Sequence, residues 1–247
     1  MSSRSPSIPS ARSGPLAIAV LGGFRFWVSG RDALPDLPGG SQRLLAFLAL
    51  RERVVVRGAA AGSLWPEASE DHAHASLRSA ISRLTSIAQE AIVVSHHSLQ
   101  LASHVAVDIR ASRALAHRLI DTTSPAPQAD LGSEAIAALS ADLLPDWYDD
   151  WAVIEAEDWR QLRLHALDSL TNALIISGRY GDAVGAALAA VRAEPLRETS
   201  HAALIRAHLA EGNRSEALGA FERYREMLRS ELGLEPGAQV RALLTGI

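Results

Sequence analysis

Cysteine is absent from all 247 residues, which excludes disulfides, thiolate nucleophiles and Cys-ligated zinc or iron–sulfur sites. Lysine is absent too, so every one of the 24 basic residues is Arg. Arg is the better bidentate ligand for phosphate and guanine, but a global lack of Lys points first to a GC-rich genome. Long apolar runs are missing: the longest clean stretch, Leu44 to Leu50, falls far short of the roughly 18 residues of a membrane span. A secretory leader built on Arg4, Arg12 and Leu16 to Leu21 fails as well. Its apolar segment is shorter than the usual 7–15 or so residues, no A-x-A site follows, and Phe24 to Val28 continues as a second strand. The expected location is therefore cytoplasmic, with no membrane partner. What remains, 48% apolar and 21% charged residues, is the mixture of a folding globular chain, long enough at about 150 residues per domain for one large or two ordinary domains.

Charge divides unevenly along the chain. Residues 1–107 carry 10 Arg against 7 acids, a net +3, whereas residues 108–247 carry 14 Arg against 21 acids, a net −7. A mildly basic first part joined to an acidic second part suits a nucleic-acid reader carrying a protein-interaction module.

Residues 1–15, rich in Ser, Pro and Arg and without a period, read as a disordered leader. Leu16 to Leu21 and Phe24 to Val28, separated by Gly22-Gly23, read as a hairpin, and the turn-rich Gly30 to Gly40 has room for one more short strand. Ser41 is expected to cap a first helix through Gln42, Arg43, Leu44, Leu45 and Leu48. Val54 to Val56 breaks it, and a small helix from about Ala59 to Leu64 stops at Trp65-Pro66. The helix that follows, Asp71 to Gln89, has Ala73, Leu77, Ala80, Ile81, Leu84 and Ala88 on one face. Its other face presents His72, Ala75, Ser79, Ser82, Arg83 and Ser86 with Arg78 on the flank, and no acid after Asp71. Ile92 to Val94, Ser95 to Ser98 and Leu99 to Leu101 then spell strand, turn, strand.

Strands, three helices and a terminal β-hairpin describe a winged helix–turn–helix with an N-terminal sheet, assigned to residues 16–107. A helix enters the major groove when its exposed face is short-chained and rich in donors, and long acids there would repel phosphates. The bland alternative is an ordinary amphipathic helix with a Ser/Arg solvent face.

From Asp108 onward the pattern is helical. A shift of 34 residues aligns Gly178-Arg179-Tyr180-Gly181-Asp182-Ala183 with Gly212-Asn213-Arg214-Ser215-Glu216-Ala217, and pairs Leu170 with Leu204 and Ala173 with Ala207. That period is the tetratricopeptide spacing. Helices at Asp108–Ile120, Ser133–Ser140 and Val240–Leu244 are expected to cover the repeats, with Asp121 to Gly132 a loop. Residues 108–247 are thus assigned to an all-α, tetratricopeptide-like domain, which makes the whole chain mostly α with small β-sheets.

The sequence resembles the Streptomyces antibiotic regulatory protein family, which joins an OmpR-like DNA-binding domain to a bacterial transcriptional activator domain. The resemblance rests on Val20-Leu21-Gly22 with Phe26, Ser41 to Leu50, Leu64-Trp65-Pro66, Ala75 to Leu84 and Val107-Asp108. In the second part it rests on Leu143-Leu144-Pro145-Asp146-Trp147-Tyr148-Asp149-Asp150-Trp151 and Glu231 to Gly237. It implies a transcriptional activator of antibiotic biosynthesis genes that binds direct repeats in double-stranded promoter DNA, as a possible homodimer there, and recruits RNA polymerase through its sigma or alpha subunits. It implies no enzyme and no cofactor; no GxxxxGK[ST] loop is present. His72 and three serines stand where many relatives carry more Arg or aromatic residues, so a target sequence does not transfer.

The candidate DNA-binding residues are Gln42, Arg43, His72, Arg78, Ser79, Ser82, Arg83, Ser86, His96 and His97. Arg78 and Arg83 would meet phosphate or guanine, and Ser79 and Ser82 base edges or backbone. Gln42 and Arg43, with the free N–H groups of a helix start, would meet a phosphate. For Arg78 the alternative is an ion pair with Glu70 or Asp71. Glu67, Glu70 and Asp71 precede or open the recognition helix, where OmpR-like activators touch polymerase; equally they are the acids a helix start favours. His72, His74, His96 and His97 show no metal-binding pattern such as HExxH, and no metal is expected. Trp147, Tyr148, Trp151 and Trp159 read as seam-filling aromatics in preference to a ligand pocket. The competing function is a tetratricopeptide-like interaction scaffold with a degenerate winged helix.

Overall fold

The computed structural model describes residues 15–121, 123 and 126–245, so the leader expected at 1–15 lies outside the described residues apart from Pro15. It divides by contacts into two compact units, Met1–Ala111 with Asp142–Asp158, and Ser112–Ala141 with Trp159–Ile247.

The first unit opens with β1 (Leu16–Ala19) and β2 (Arg25–Val28), paired antiparallel with Ile18 opposite Phe26. The turn between them holds Gly22 and Gly23 at φ of 71° and 124°, a backbone that side-chain-bearing residues rarely adopt. β3 (Arg31–Asp32) fills the room left in the turn-rich stretch, and β7 (Ala106–Val107) pairs parallel to β1, giving the order β3-β2-β1-β7.

Helix α1 (Gly39–Leu50) begins three residues earlier than expected, after Pro38. Ser41 is therefore not its cap. It lies fully buried in the first turn, and its hydroxyl donates to the carbonyl of Ala80 at 2.9 Å. α2 (Arg57–Leu64) follows β4 (Val55–Val56), and α3 (Glu70–Ala88) is the long helix of this unit. β5 (Ile92–Val94) and β6 (Ser98–Leu101) form the hairpin, and β4 joins β6 to complete a second sheet of order β4-β6-β5. This is the winged helix–turn–helix expected from the order of elements.

Two pieces of sequence from beyond residue 107 close this unit. The Asp108 carboxylate, 4% exposed, accepts the backbone N–H groups of Val20 at 3.0 Å, Leu21 at 3.1 Å and Ile109 at 2.7 Å. Burial nevertheless pushes its carboxyl up to about 6, the amides pulling the other way. The stretch 142–144 lies against the same strand end, with Gly22 donating to the Asp142 carbonyl at 2.7 Å and Leu144 to that of Val20 at 2.9 Å. Leu143 and Leu144 are buried, and the Trp151 ring meets that of Phe47 edge-on at 5.3 Å.

α4 (Asp108–Ile120) and α6 (Asp150–Ile176) each begin in the first unit and end in the second. The second unit adds α5 (Ser133–Ser140), α7 (Tyr180–Ala193), α8 (Glu198–Glu211), α9 (Arg214–Leu232) and α10 (Ala238–Ala242). The 34-residue repeat is realised as α6–α7 and α8–α9. Gly178 and Gly212 turn the chain at φ of 71° and 88°, and the matched Ala183 and Ala217 are both fully buried. Small residues at these seams let helices approach closely, and Ala187, Ala203, Leu204, Ile205, Ala220 and Phe221 share one core. Within the stretch expected to be a loop, Gln128–Leu131 forms a short 3-10 helix.

Candidate nucleic-acid interface

α3 owes its place to an apolar stripe at helical spacing. Ala73, Leu77, Ala80, Leu84 and Ala88 are buried against the unit, which rotates the opposite face outward. That outward face carries His72, Ala75, Arg78, Ser79, Ser82, Arg83 and Ser86, all exposed. The side chains are short apart from the two guanidinium groups, and no carboxylate lies among them beyond the first turn. The hydroxyl of Ser86 donates to the carbonyl of Arg83 at 2.7 Å, and Ser69 Oγ is 3.0 Å from Nδ1 of His72. Arg78 forms no ion pair with Glu70 or Asp71 among the described residues. His74, half-buried, lies 3.9 Å from Glu70 instead.

His96 and His97 sit at the tip of the β5–β6 hairpin, exposed, with ring centroids 4.3 Å apart. The turn is closed by Ser95, whose N–H donates to the Ser98 carbonyl at 2.9 Å and whose Oγ accepts from the Ser98 N–H at 3.0 Å. A residue not singled out from the sequence ties this tip to the helical part. The Arg57 N–H donates to the His97 carbonyl at 2.9 Å and its guanidinium to the Ser95 carbonyl at 3.3 Å. An Arg directly after the Val54–Val56 run is the only signal the sequence offers for it.

Gln42 and Arg43 have partners of their own. Gln42 donates its side-chain amide to the Leu37 carbonyl at 2.7 Å, and Arg43 is paired with Asp149. Glu67, Glu70 and Asp71 are all exposed, Glu67 in the turn after α2 and the other two in the first turn of α3. Of the four aromatics expected to fill a seam, Trp151 and Trp159 are buried at 6% and 1%. Tyr148 is 85% exposed and packs no seam. No group of His, Asp and Glu able to hold a metal ion occurs among the described residues, and no helix there is long and apolar enough to cross a membrane.

The family model described as bacterial transcriptional activator domain matches residues 107–247, more than half of the chain. Regulatory protein AfsR of Streptomyces coelicolor is 28% identical over 245 residues, covering 94% of this chain and 24% of that protein. Its counterpart in Streptomyces griseus is 29% identical over 254 residues, covering 97% and 25%. The chain thus spans about a quarter of the length of the curated relatives it matches. Among solved structures, that of Mycobacterium tuberculosis EmbR in complex with a low-affinity phosphopeptide superposes with a TM-score of 0.69 at 23% identity, over 93% of this chain and 64% of that one. That likeness establishes a shared fold, and the family match agrees with the resemblance drawn from the sequence to the Streptomyces antibiotic regulatory proteins. The chain belongs to the bacterial transcriptional activator domain family.

Proposed function

We propose that this protein is a sequence-specific regulator of transcription that acts on double-stranded promoter DNA, an activator without enzymatic activity that works in the cytoplasm on the nucleoid. One observation carries the proposal: the exposed face of α3 offers hydroxyls and two guanidinium groups without an intervening carboxylate, and a closed β-hairpin follows the helix in the chain. Arg78 and Arg83 take phosphate or guanine, and Ser79, Ser82, Ser86 and His72 take base edges or backbone. His96 and His97 at the hairpin tip approach the neighbouring backbone or minor groove. Gln42 and Arg43 are the weaker members of the set, because each has a partner within the chain. Glu67, Glu70 and Asp71 face RNA polymerase, and two copies bind direct repeats.

A footprint on the promoters flanking the gene, followed by affinity measurements across a salt series, tests this reading. Binding should weaken steeply with salt, the slope of log K against log salt being about −0.9 per neutralised phosphate. A chain without duplex affinity would instead be an interaction scaffold built on the helical repeat.

A further inference from the structure

A groove of about 790 Å³ lies within the first unit, lined by α1, the end of α2, the turn that follows it and the start of α6. Its two cations are already matched, Arg43 with Asp149 and Arg51 with Glu155. The charges left over are Glu67 and Asp150, both exposed, and neither has an ion-pair partner among the described residues. Beside these acids the groove exposes two large apolar side chains, Tyr148 at 85% and Ile154 at 63%. Tyr148 gains nothing from that position in the free chain, since burying an aromatic ring is among the larger sources of stability and its neighbours Trp147 and Trp151 pack while it does not.

We propose that this groove is the docking site of a basic amphipathic segment of a partner protein, which sets apolar side chains on Tyr148 and Ile154 and cationic ones toward Glu67 and Asp150. Charge selects this occupant. Two uncompensated carboxylates repel nucleic acid and anionic small molecules, and the guanidinium groups that would attract them are paired. An aromatic beside an aliphatic side chain is the composition of an interface anchor. The groove deepens the proposed function and rests on it only in that Glu67 faces a partner.

The test uses the full chain and two fluorescein-labelled helical peptides, one built from Leu and Lys in amphipathic register and one with Glu in place of Lys, followed by anisotropy. The Lys peptide is expected to bind and the Glu peptide not. Tyr148→Ala combined with Ile154→Ser should weaken binding about tenfold, the loss expected for truncating interface anchors. Both positions face solvent, so circular dichroism should not change. Glu67→Arg combined with Asp150→Arg should invert the preference toward the Glu peptide, a result that general stickiness cannot produce. Equal binding of both peptides, binding of neither, or affinities indifferent to these variants overturns the proposal. So does a concentration-dependent dimer of the chain alone that the Tyr148/Ile154 variant abolishes, which would give the groove to a second copy. Duplex DNA affinity is measured on the same samples: a chain that takes the peptide but not DNA sinks the regulator reading and leaves the groove standing.

Discussion

Gly237 donates its backbone N–H to the Glu198 carboxylate at 2.9 Å, and a β-carbon at Gly237 would collide with that same carboxylate. Glu198 opens α8, so its charge is well placed at the positive end of that helix. It also faces the hydroxyl of Tyr224, whose ring stacks on His201 at 4.0 Å. One acidic side chain thus joins the start of α8, the middle of α9 and the entry to α10. Gly237→Ala should push the Glu198 carboxylate, the end of a flexible side chain, off the Gly237 amide and destabilise the protein by about 1 kcal/mol, the usual worth of one lost hydrogen bond, read from chemical denaturation. Glu198→Gln, which keeps an acceptor for the Gly237 amide, should cost less than the alanine; a reversed order would refute the steric account.

Arg83 lies on the exposed face of α3, and its guanidinium has no ion-pair partner among the described residues. Arg83→Glu should remove duplex binding while leaving the circular dichroism spectrum unchanged, and Arg78→Ala should cost about 1–3 kcal/mol of affinity if it contacts guanine. A phosphate contact at Arg78 would instead weaken all duplexes alike and lower the salt slope by about one. Retention of full affinity by Arg83→Glu would remove α3 from the interface.

The buried hydroxyl of Ser41 ties α1 to α3 through the Ala80 carbonyl. Ser41→Ala should lower stability by about 1 kcal/mol, the usual net worth of a buried neutral hydrogen bond. Ser41→Val should cost more, because Ser41 is completely enclosed and the added methyl groups have no room. Equilibrium unfolding of both variants would show whether packing or the hydrogen bond dominates.

Asp108 titrates in a buried setting that raises its carboxyl from 3.8 to about 6. A carboxyl whose pKa is higher in the folded than in the unfolded chain favours folding while protonated. Its contribution is complete below about pH 3.8 and is lost as the pH rises through 6. From pH 4 to 6.5 the wild type should therefore lose about 2–3 kcal/mol relative to Asp108→Asn, which has no proton to release. Parallel stability–pH curves for the two proteins would show that the three amides outweigh burial.

The outward face of α3 could be read in advance because a single helix with a clean apolar stripe determines its own orientation, whatever lies beneath it. The hairpin and the 34-residue repeat were equally readable, since Gly22-Gly23 and the Gly178/Gly212 pair mark turns by local backbone chemistry. The site residues from α1 fared differently. Gln42 and Arg43 look free at a helix start, yet their partners, Leu37 and Asp149, are set by the turn before α1 and by a residue more than a hundred positions away. Ser41 looks like a cap in any local window, and only the approach of α3 makes it an internal tie.

Local periodicity and turn chemistry thus determined the element order, the two-part organisation of repeat after winged helix, and which side of α3 meets solvent. The tertiary structure decided that β7 pairs with β1, that Asp108 holds the end of that strand, and that residues 142–158 pack with the first unit although they follow α4 and α5 in the chain. The physical reason is range. Helical and hairpin hydrogen bonds join near neighbours in the sequence, whereas a two-residue strand or a single buried carboxylate gains its partners only after the chain has closed loops of many tens of residues, and nothing in its own neighbourhood records which loops those are.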